Sequence, residues 1–158
     1  MVERRLAVQS FWCKAHEFFE ADTYLPEKRC PIIHFYLLCH SLELCLKAFL
    51  ADKGIPHKEL SQRPFGHDLD RLFRECEKHE LGAIFVGMAD IRELIQATNE
   101  DYNKKHFEYS DKGKLELPDD FKKPRESIRS LLNATKDLWI EPAREMAARK
   151  LRTPQSGS

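Results

Sequence analysis

The sequence predicts an all-α protein, a bundle of about five helices around a buried second helix. Apolar residues recur at helical spacing through residues 31–53, on most of the circumference of that segment. The same periodicity returns on one face of several other segments, and no segment shows the sustained alternation of a β-strand. One helix is therefore expected at the centre, with amphipathic helices around it.

The central helix has well-marked ends. Pro31 suits a first helical position, where a missing N–H costs nothing. Gly54, followed by Ile55 and Pro56, predicts a left-handed C-cap with Ile55 packed back on Leu50. Between these ends the main apolar row comprises Phe35, Leu38, Cys39, Leu42, Cys45, Leu46 and Phe49.

A narrow polar stripe interrupts this apolar helix. His40, Glu43 and Lys47 lie at positions i, i+3 and i+7, on one line along the helix. We interpret the stripe as a solvated edge that carries a Glu43–Lys47 ion pair, since exposed pairs of this kind are common and contribute little.

A first helix precedes the central helix, and a loop and a third helix follow it. Residues 3–22 present an aromatic-rich apolar face, which is typical of core packing. Residues 56–66 contain two prolines and a glycine and predict a loop. Asp68 is then expected to cap a third helix that ends before Gly82.

The second half of the chain predicts two more helices. One covers about residues 87–107 and the other residues 124–138, with Pro142 restarting or kinking the chain. Residues 109–121 between them form a polar excursion that could hold a small hairpin. We divide the chain into one helical domain, residues 1–151, and a disordered tail, residues 152–158.

Composition indicates a reduced, cytoplasmic location. The 158 residues include 26 basic and 26 acidic side chains, so no global field attracts nucleic acid or membrane. The five cysteines form no C-x-x-C pair and are expected to be core thiols. No signal peptide, membrane span, glycine-rich phosphate loop or zinc-type spacing is found in the sequence, so we expect no cofactor, no metal and no membrane partner.

A polar line on the fourth helix is the main candidate for a functional surface. It ends beside Lys104, Lys105 and Tyr109, and its members at helical spacing are Arg92, Gln96, Asn99, Asn103 and His106. Such a row either faces water or forms a binding or dimer surface. A histidine can exchange protons with a ribose hydroxyl, lysines can neutralise phosphate, and tyrosine can add a hydrogen bond or a stacking face.

The chain resembles the HEPN domains over about residues 5–140. The resemblance lies in HSLELCLKAFLADKGIP on the central helix, GHDLDRLF at the start of the next helix and DYNKKHFEY at the end of the fourth. Residues 42–50 and the turn at residues 66–69 are its more specific pieces. HEPN domains are helical bundles that commonly dimerise, and many are metal-independent ribonucleases in toxin–antitoxin and antiphage systems. The resemblance therefore implies a homodimer and RNA, a nucleotide or a protein as partner.

The catalytic signature of those ribonucleases is incomplete here. It places an arginine four to six residues before a histidine, often with a nearby tyrosine. His106 matches the histidine and Tyr109 the tyrosine, at a longer spacing, but the arginine positions hold Asn99, Glu100 and Asp101. An acidic residue at that place would repel a phosphate, which argues against the usual catalysis.

No other residue of the same helix replaces the missing arginine. Arg92 lies about 21 Å along the helix axis from His106 at 1.5 Å rise per residue. Lys104, Lys105 or a residue of a second protomer could compensate in part.

The dipeptide His67-Asp68 has a second interpretation, the metal-binding pair of HD phosphohydrolases. Such a site needs further ligands, for which His40 and Asp101 are available by residue type alone. An aspartate before an apolar helix is more often a cap, so we favour capping.

Three hypotheses about function follow. The first is a binding or regulatory module for RNA, a nucleotide or a protein, with Asn99, Asn103, Lys104 and Lys105 as ligand contacts. The second is a divergent ribonuclease in which His106 is the general acid or base, assisted by Tyr109. The third is a structural partner protein whose polar row is only a dimer interface.

Overall fold

The computed structural model describes residues 2–27, 29–109, 115, 117–118 and 120–152, and within them it contains helices and no β-strand. The all-α class is therefore confirmed for the described part of the chain. The helices, in chain order, are α1 (Val2–Thr23), α2 (Pro31–Asp52), α3 (His57–Ser61), α4 (Leu69–Lys78), α5 (Met88–Asn103), α6 (His106–Tyr109), α7 (Lys122–Thr135) and α8 (Asp137–Arg152), with a 3-10 turn at Leu81–Ala83.

Helix α2 is the centre of the bundle, as predicted. It contacts α1 along its length and also touches α3, α4, α5, α6 and α7. Every residue from 41 to 51 is buried. By length and hydropathy α2 could span a membrane, which corrects the prediction that no segment has the properties of a membrane span. Of its most apolar window, 72% is buried inside the fold, as in a core helix.

The two ends of α2 follow the predicted pattern. Pro31 is the first residue of the helix. Gly54 has φ +99°, a left-handed conformation that residues with a Cβ rarely adopt. Ile55 N–H donates to the carbonyl of Leu50 at 3.1 Å, which closes the helix and turns the chain toward α3.

A buried polar cluster joins α1, α2 and α7 near the start of α2. The Asp22 carboxylate contacts His34 Nδ1 at 2.6 Å and accepts from Arg125 Nε at 2.6 Å. The His34 ring stacks on Phe121 with centroids 4.1 Å apart. Because Asp22 and His34 are fully buried, removing either partner would leave an unpaired polar group inside the bundle.

Several predicted boundaries are wrong. The expected loop at residues 56–66 holds the short helix α3. The fourth helix ends at Asn103 instead of residue 107, because Lys105 has φ +59° and breaks the α-helical path before α6. Pro142 does not restart the helix, because α8 begins at Asp137 and contains the proline; the alternative, a kink at Pro142, stays a prediction.

Other predictions fall partly outside the described residues. The hairpin at residues 109–121 depends on residues 110–114, which lie outside them. Arg152, placed in the disordered tail, is the last residue of α8, and residues 153–158 are outside the described part of the chain. Of the expected core thiols, Cys39, Cys45 and Cys76 are buried, whereas Cys13 is half-buried and Cys30 is exposed.

Substitution of the core of α2 should destabilise the whole bundle. Leu46 is fully buried, so Leu46→Ala is expected to lower the free energy of unfolding by about 2–5 kcal/mol through lost burial and a residual cavity. Ile33→Ala, on an exposed position of the same helix, should change it by less than about 0.5 kcal/mol. Urea unfolding followed by circular dichroism measures both, and equal effects would contradict the central position of α2.

Candidate functional site: a buried carboxylate beside a basic cavity

The polar stripe of α2 is buried, which corrects the prediction of a solvated edge. The Glu43 side chain is 2% exposed, and its Oε1 accepts from Lys47 Nζ at 2.6 Å. The predicted ion pair therefore exists, but it lies inside the bundle. Burying a charged pair costs several kcal/mol of desolvation per ion, so further hydrogen bonds are needed to offset that cost.

The second carboxylate oxygen of Glu43 accepts these further hydrogen bonds. Glu43 Oε2 accepts from the Tyr102 hydroxyl at 2.5 Å and from His67 Nδ1 at 2.9 Å. Tyr102 lies on α5, and His67 lies in the turn just before α4. One carboxylate on the central helix thus holds together three parts of the chain that are distant in sequence.

His40 completes this network. Its Nδ1 lies 2.7 Å from the Tyr102 hydroxyl oxygen and 3.9 Å from Glu43 Oε2. The single hydroxyl proton of Tyr102 is donated to Glu43, so His40 Nδ1–H must donate to the Tyr102 oxygen. His40 is therefore assigned, from the hydrogen bonds, as the tautomer with its proton on Nδ1 and a lone pair on Nε2.

The network shifts the protonation of its members in different directions. Burial alone raises the pKa of Glu43, but the hydrogen bond from His67, the charge and hydrogen bond of Lys47 and the Tyr102 hydroxyl together lower it to about 2. Burial, followed by the charge of Glu43, raises the pKa of Tyr102, which keeps its hydroxyl protonated as a donor. Glu43 is therefore ionised and fully paired.

The two histidines respond oppositely. Burial lowers the pKa of His40, with the charges of His67 and Lys47 adding to that shift and Glu43 opposing it. The hydrogen bond to Glu43 raises the pKa of His67 against a smaller opposing contribution from burial. The surroundings therefore favour the neutral form of His40 and the cationic form of His67.

A cavity of about 630 Å³ lies next to this network and shares His67 with it. Two guanidinium groups, Arg63 and Arg71, and the amide of Asn103 line it. Its other lining residues are Ser61, Gln62, Pro64, Phe65, Gly66 and Asp68. The charged residues of this lining, two arginines and one aspartate, give a local excess of positive charge in a chain whose formal net charge is zero.

The predicted polar row is partly used for helix capping. Asn99 Oδ1 accepts from the backbone N–H of Leu69 at 2.8 Å, and its Nδ2 donates to Asp68 Oδ1 at 3.1 Å. Asp68 Oδ1 also accepts from Arg71 N–H at 3.2 Å, which confirms the predicted N-cap. The Asn99 amide therefore fixes the start of α4 and, of the predicted ligand residues, only Asn103 lines the cavity.

Arg92 of the row and the two lysines beside it do not line the cavity. Arg92 is paired with Glu77, and Lys104 donates to Glu100 at 2.7 Å. Lys105 is exposed at the left-handed position that ends α5. Because the helix breaks there, the line does not continue along one helix face to His106, as the spacing had predicted.

His106 forms a pair of its own. Its Nδ1 lies 2.6 Å from Asp101 Oδ1, and both side chains are largely buried. Tyr109, at the far end of α6, is exposed. The acidic residue that stands where the family signature has an arginine therefore contacts the histidine directly.

The metal interpretation of His67-Asp68 is not supported by these contacts. His67 donates to Glu43 and Asp68 caps α4, so the two side chains serve different partners. His40 is bonded to Tyr102, and Asp101 to His106. Among the described residues, no group of three or more metal-binding side chains is found.

Sequence reasoning missed the Glu43 network, although a signal was present. A polar stripe on a helix that is apolar on all other sides must enter the core with that helix, and buried charges require partners. His67 and Tyr102 could not be assigned as those partners from spacing, because they are 24 and 59 residues away from Glu43.

Comparisons of the chain with protein-family models, with curated proteins and with solved structures found no match in any of the three. The resemblance to HEPN domains therefore stays a prediction from the sequence.

Removing the charge of Glu43 should destabilise the protein in a pH-dependent way. Glu43→Gln leaves Lys47 buried without its counter-ion, so we expect a loss of about 3–5 kcal/mol at pH 7. Because folding lowers the pKa of Glu43, its stabilisation is complete above about pH 4.5 and is lost as the pH falls toward about 2. The difference in unfolding free energy between wild type and variant should therefore shrink over that window.

Urea unfolding at a series of pH values measures this difference. Glu17→Gln, at an exposed position on α1, is the matched control and should stay within about 0.5 kcal/mol of wild type. A difference for Glu43→Gln that is small at pH 7, or that grows as the pH falls, would contradict the buried ion pair.

Proposed function

We propose that this protein is a HEPN-like helical module that binds RNA through its phosphates in the cavity beside His67. The two more specific pieces of the family resemblance support the relation, because they meet in space. Glu43 and Lys47 belong to the leucine-lysine block of α2, and His67 belongs to the turn before α4. Glu43 accepts one hydrogen bond from Lys47, within the block, and one from His67, in the turn.

The observation that carries the binding proposal is the composition of the cavity. Arg63 and Arg71 supply planar donors that match phosphate oxygens, and His67 adds a group whose pKa is raised by Glu43. Asp68 is the one acidic residue of the lining; its Oδ1 is occupied at the cap of α4, and its Oδ2 lies 3.9 Å from Arg71 Nε. Asn103 offers an uncharged amide for a base edge or a ribose hydroxyl.

A homodimer, a protein partner, a cytoplasmic location and a place in a defence or toxin–antitoxin system stay predictions from the sequence. They are compatible with a soluble helical bundle, but no described contact bears on them. RNA binding, by contrast, can be tested on the cavity residues themselves.

Replacing the cavity arginines should weaken RNA binding in a salt-dependent way. Arg63→Ala and Arg71→Ala each remove one phosphate contact, so each should lower affinity for RNA of any sequence and reduce the slope of log K against log salt by about one. Fluorescence anisotropy with a short labelled RNA over a salt series measures both quantities.

The matched control is Arg74→Ala. Arg74 is on the same helix as Arg71, pairs with Asp70 at 2.9 Å and does not line the cavity. Arg74→Ala should leave the slope of log K against log salt unchanged. Equal losses for Arg71→Ala and Arg74→Ala, or RNA binding that does not depend on salt, would contradict the proposal.

A second candidate function is RNA cleavage by His106. The observation in its favour is the Asp101–His106 pair, since a carboxylate on Nδ1 fixes the ring and leaves Nε2 as the proton-exchanging atom. In this alternative, Asp101 orients the base, and the exposed Tyr109 can turn toward a substrate.

The His106 alternative predicts metal-independent cleavage that depends on one ring. Wild type should cleave end-labelled mixed-sequence RNA or tRNA in EDTA, and His106→Ala should reduce the rate by about 10²–10⁴. Gel analysis of the products checks this. Cleavage that persists in His106→Ala would exclude this histidine as the essential group.

A further inference from the structure

We propose that a second cavity, between the start of α1 and helix α8, binds a small apolar carboxylate, a hydrocarbon chain that carries one carboxylate group. Its lining comes from residues 2–9 of α1 and residues 138–147 of α8, with Asp52 at the end of α2. None of these residues lines the cavity beside His67. This site is therefore independent of the proposed RNA binding and takes a different kind of ligand.

The size and the composition of this second cavity are those of a small-molecule site. Its volume is about 550 Å³, within the range of about 300–1,000 Å³ that is usual for ligand cavities. Most of its lining side chains are aliphatic or aromatic, and they include Val2, Leu6 and Val8 from α1 and Leu138, Trp139 and Pro142 from α8. A ligand with a hydrocarbon body would cover these groups and remove them from water.

The aromatic part of the α8 wall is anchored to the core. The ring of Trp139 lies against that of Trp12, with centroids 5.6 Å apart. Trp12 is buried, and its Nε1–H donates to the carbonyl of Leu132 at 3.3 Å and to Thr135 Oγ1 at 3.2 Å. Trp139 thus packs on a ring that is itself held in place. A wall that is formed before the ligand arrives lowers the entropic cost of binding.

The α1 wall leaves large apolar side chains in contact with solvent. Val2 is 64% exposed and Leu6 is 59% exposed, and both line the cavity. Val8, farther along the same helix, is buried. Apolar side chains that are gathered in one place but remain exposed are typical of a binding surface. A ligand seated between α1 and α8 would bury them.

The charged groups of the lining favour an anion. They are Arg4, Arg5 and Asp52. Arg4 Nη2 lies 3.6 Å from Asp52 Oδ1, so this guanidinium has a counter-ion. Arg5 is half-buried, and within the described part of the chain its side chain forms no ion pair and no hydrogen bond. One positive charge is thus left without a partner beside an apolar wall.

A single carboxylate matches this unpaired charge. The planar guanidinium of Arg5 can donate two parallel hydrogen bonds to the two carboxylate oxygens. A phosphate monoester would bring a second negative charge, and the other arginine of the lining already faces Asp52. Gln9, one helical turn after Arg5, lies on the same face of α1 and adds an uncharged amide. The carboxylate would therefore lie at Arg5 and the hydrocarbon chain along the apolar walls.

Titration with straight-chain carboxylates tests this site, because Trp139 lies in its wall and reports on it by fluorescence. Octanoate, decanoate and dodecanoate, each below its micelle concentration, should bind saturably in calorimetry and should change the tryptophan emission. Affinity should rise about four-fold for each added CH₂ that is buried. Decanol, which has the same chain as decanoate without the charge, should bind about ten-fold more weakly.

Two substitutions separate the charge from the apolar walls. Arg5→Gln removes the unpaired charge and should weaken decanoate binding about ten-fold while leaving decanol binding unchanged. Ala143→Phe places a ring in the cavity and should abolish the binding of both compounds. Lys14→Gln is the matched control, because Lys14 is exposed on α1 and does not line the cavity. It should bind decanoate as wild type does, and circular dichroism checks that each variant keeps its helices.

Three results would overturn this site: decanoate binding that Arg5→Gln does not weaken, binding that does not saturate, or equal affinity for decanol. If Ala143→Phe fails to fold, the comparison of decanoate with decanol in Arg5→Gln decides alone. Absence of decanoate binding also overturns the site. A wild-type dimer in sedimentation that Ala143→Phe dissociates would then assign this face to an interface between two copies of the chain. None of these results affects RNA binding at Arg63 and Arg71.

Discussion

The buried carboxylate of Glu43 is the interaction on which the arrangement of the site depends. It lies on the central helix, where water cannot solvate it, so its charge has to be matched by protein groups. Lys47, His67 and Tyr102 do this from α2, from the turn before α4 and from α5. The hydrogen bonds and the ion pair that stabilise this one carboxylate therefore fix the relative positions of three segments of the chain.

The contacts with Glu43 and Tyr102 also orient two histidines, His40 and His67. A fully buried and saturated network would only stabilise the fold, but the side chains of His40 and His67, each bonded through Nδ1, are 22% and 46% exposed. The Nδ1 bonds orient each ring and influence its pKa. The adjacent cavity is lined by His67, Arg63 and Arg71, and this local positive charge is the basis for the proposed binding of an anionic ligand.

The fourth helix shows why a linear pattern can mislead about a surface. The predicted polar row assumed an unbroken helix to residue 107. The left-handed backbone at Lys105 breaks that helix, which ends at Asn103. Asn99, read as a ligand contact, caps α4 instead, because the exposed N–H groups at a helix start attract a nearby amide oxygen. His106, on the following short helix, takes the acidic Asp101 as its partner.

The sequence by itself determined the all-α class and the central helix, because apolar periodicity, Pro31 and Gly54 are local signals that act over a few residues. It also indicated that Glu43 and Lys47 pair, since they lie one helical turn apart. Only the tertiary structure decided that this pair is buried and that His67 and Tyr102 complete it. Those contacts join residues far apart in the chain, and their energies depend on burial, which no local spacing encodes.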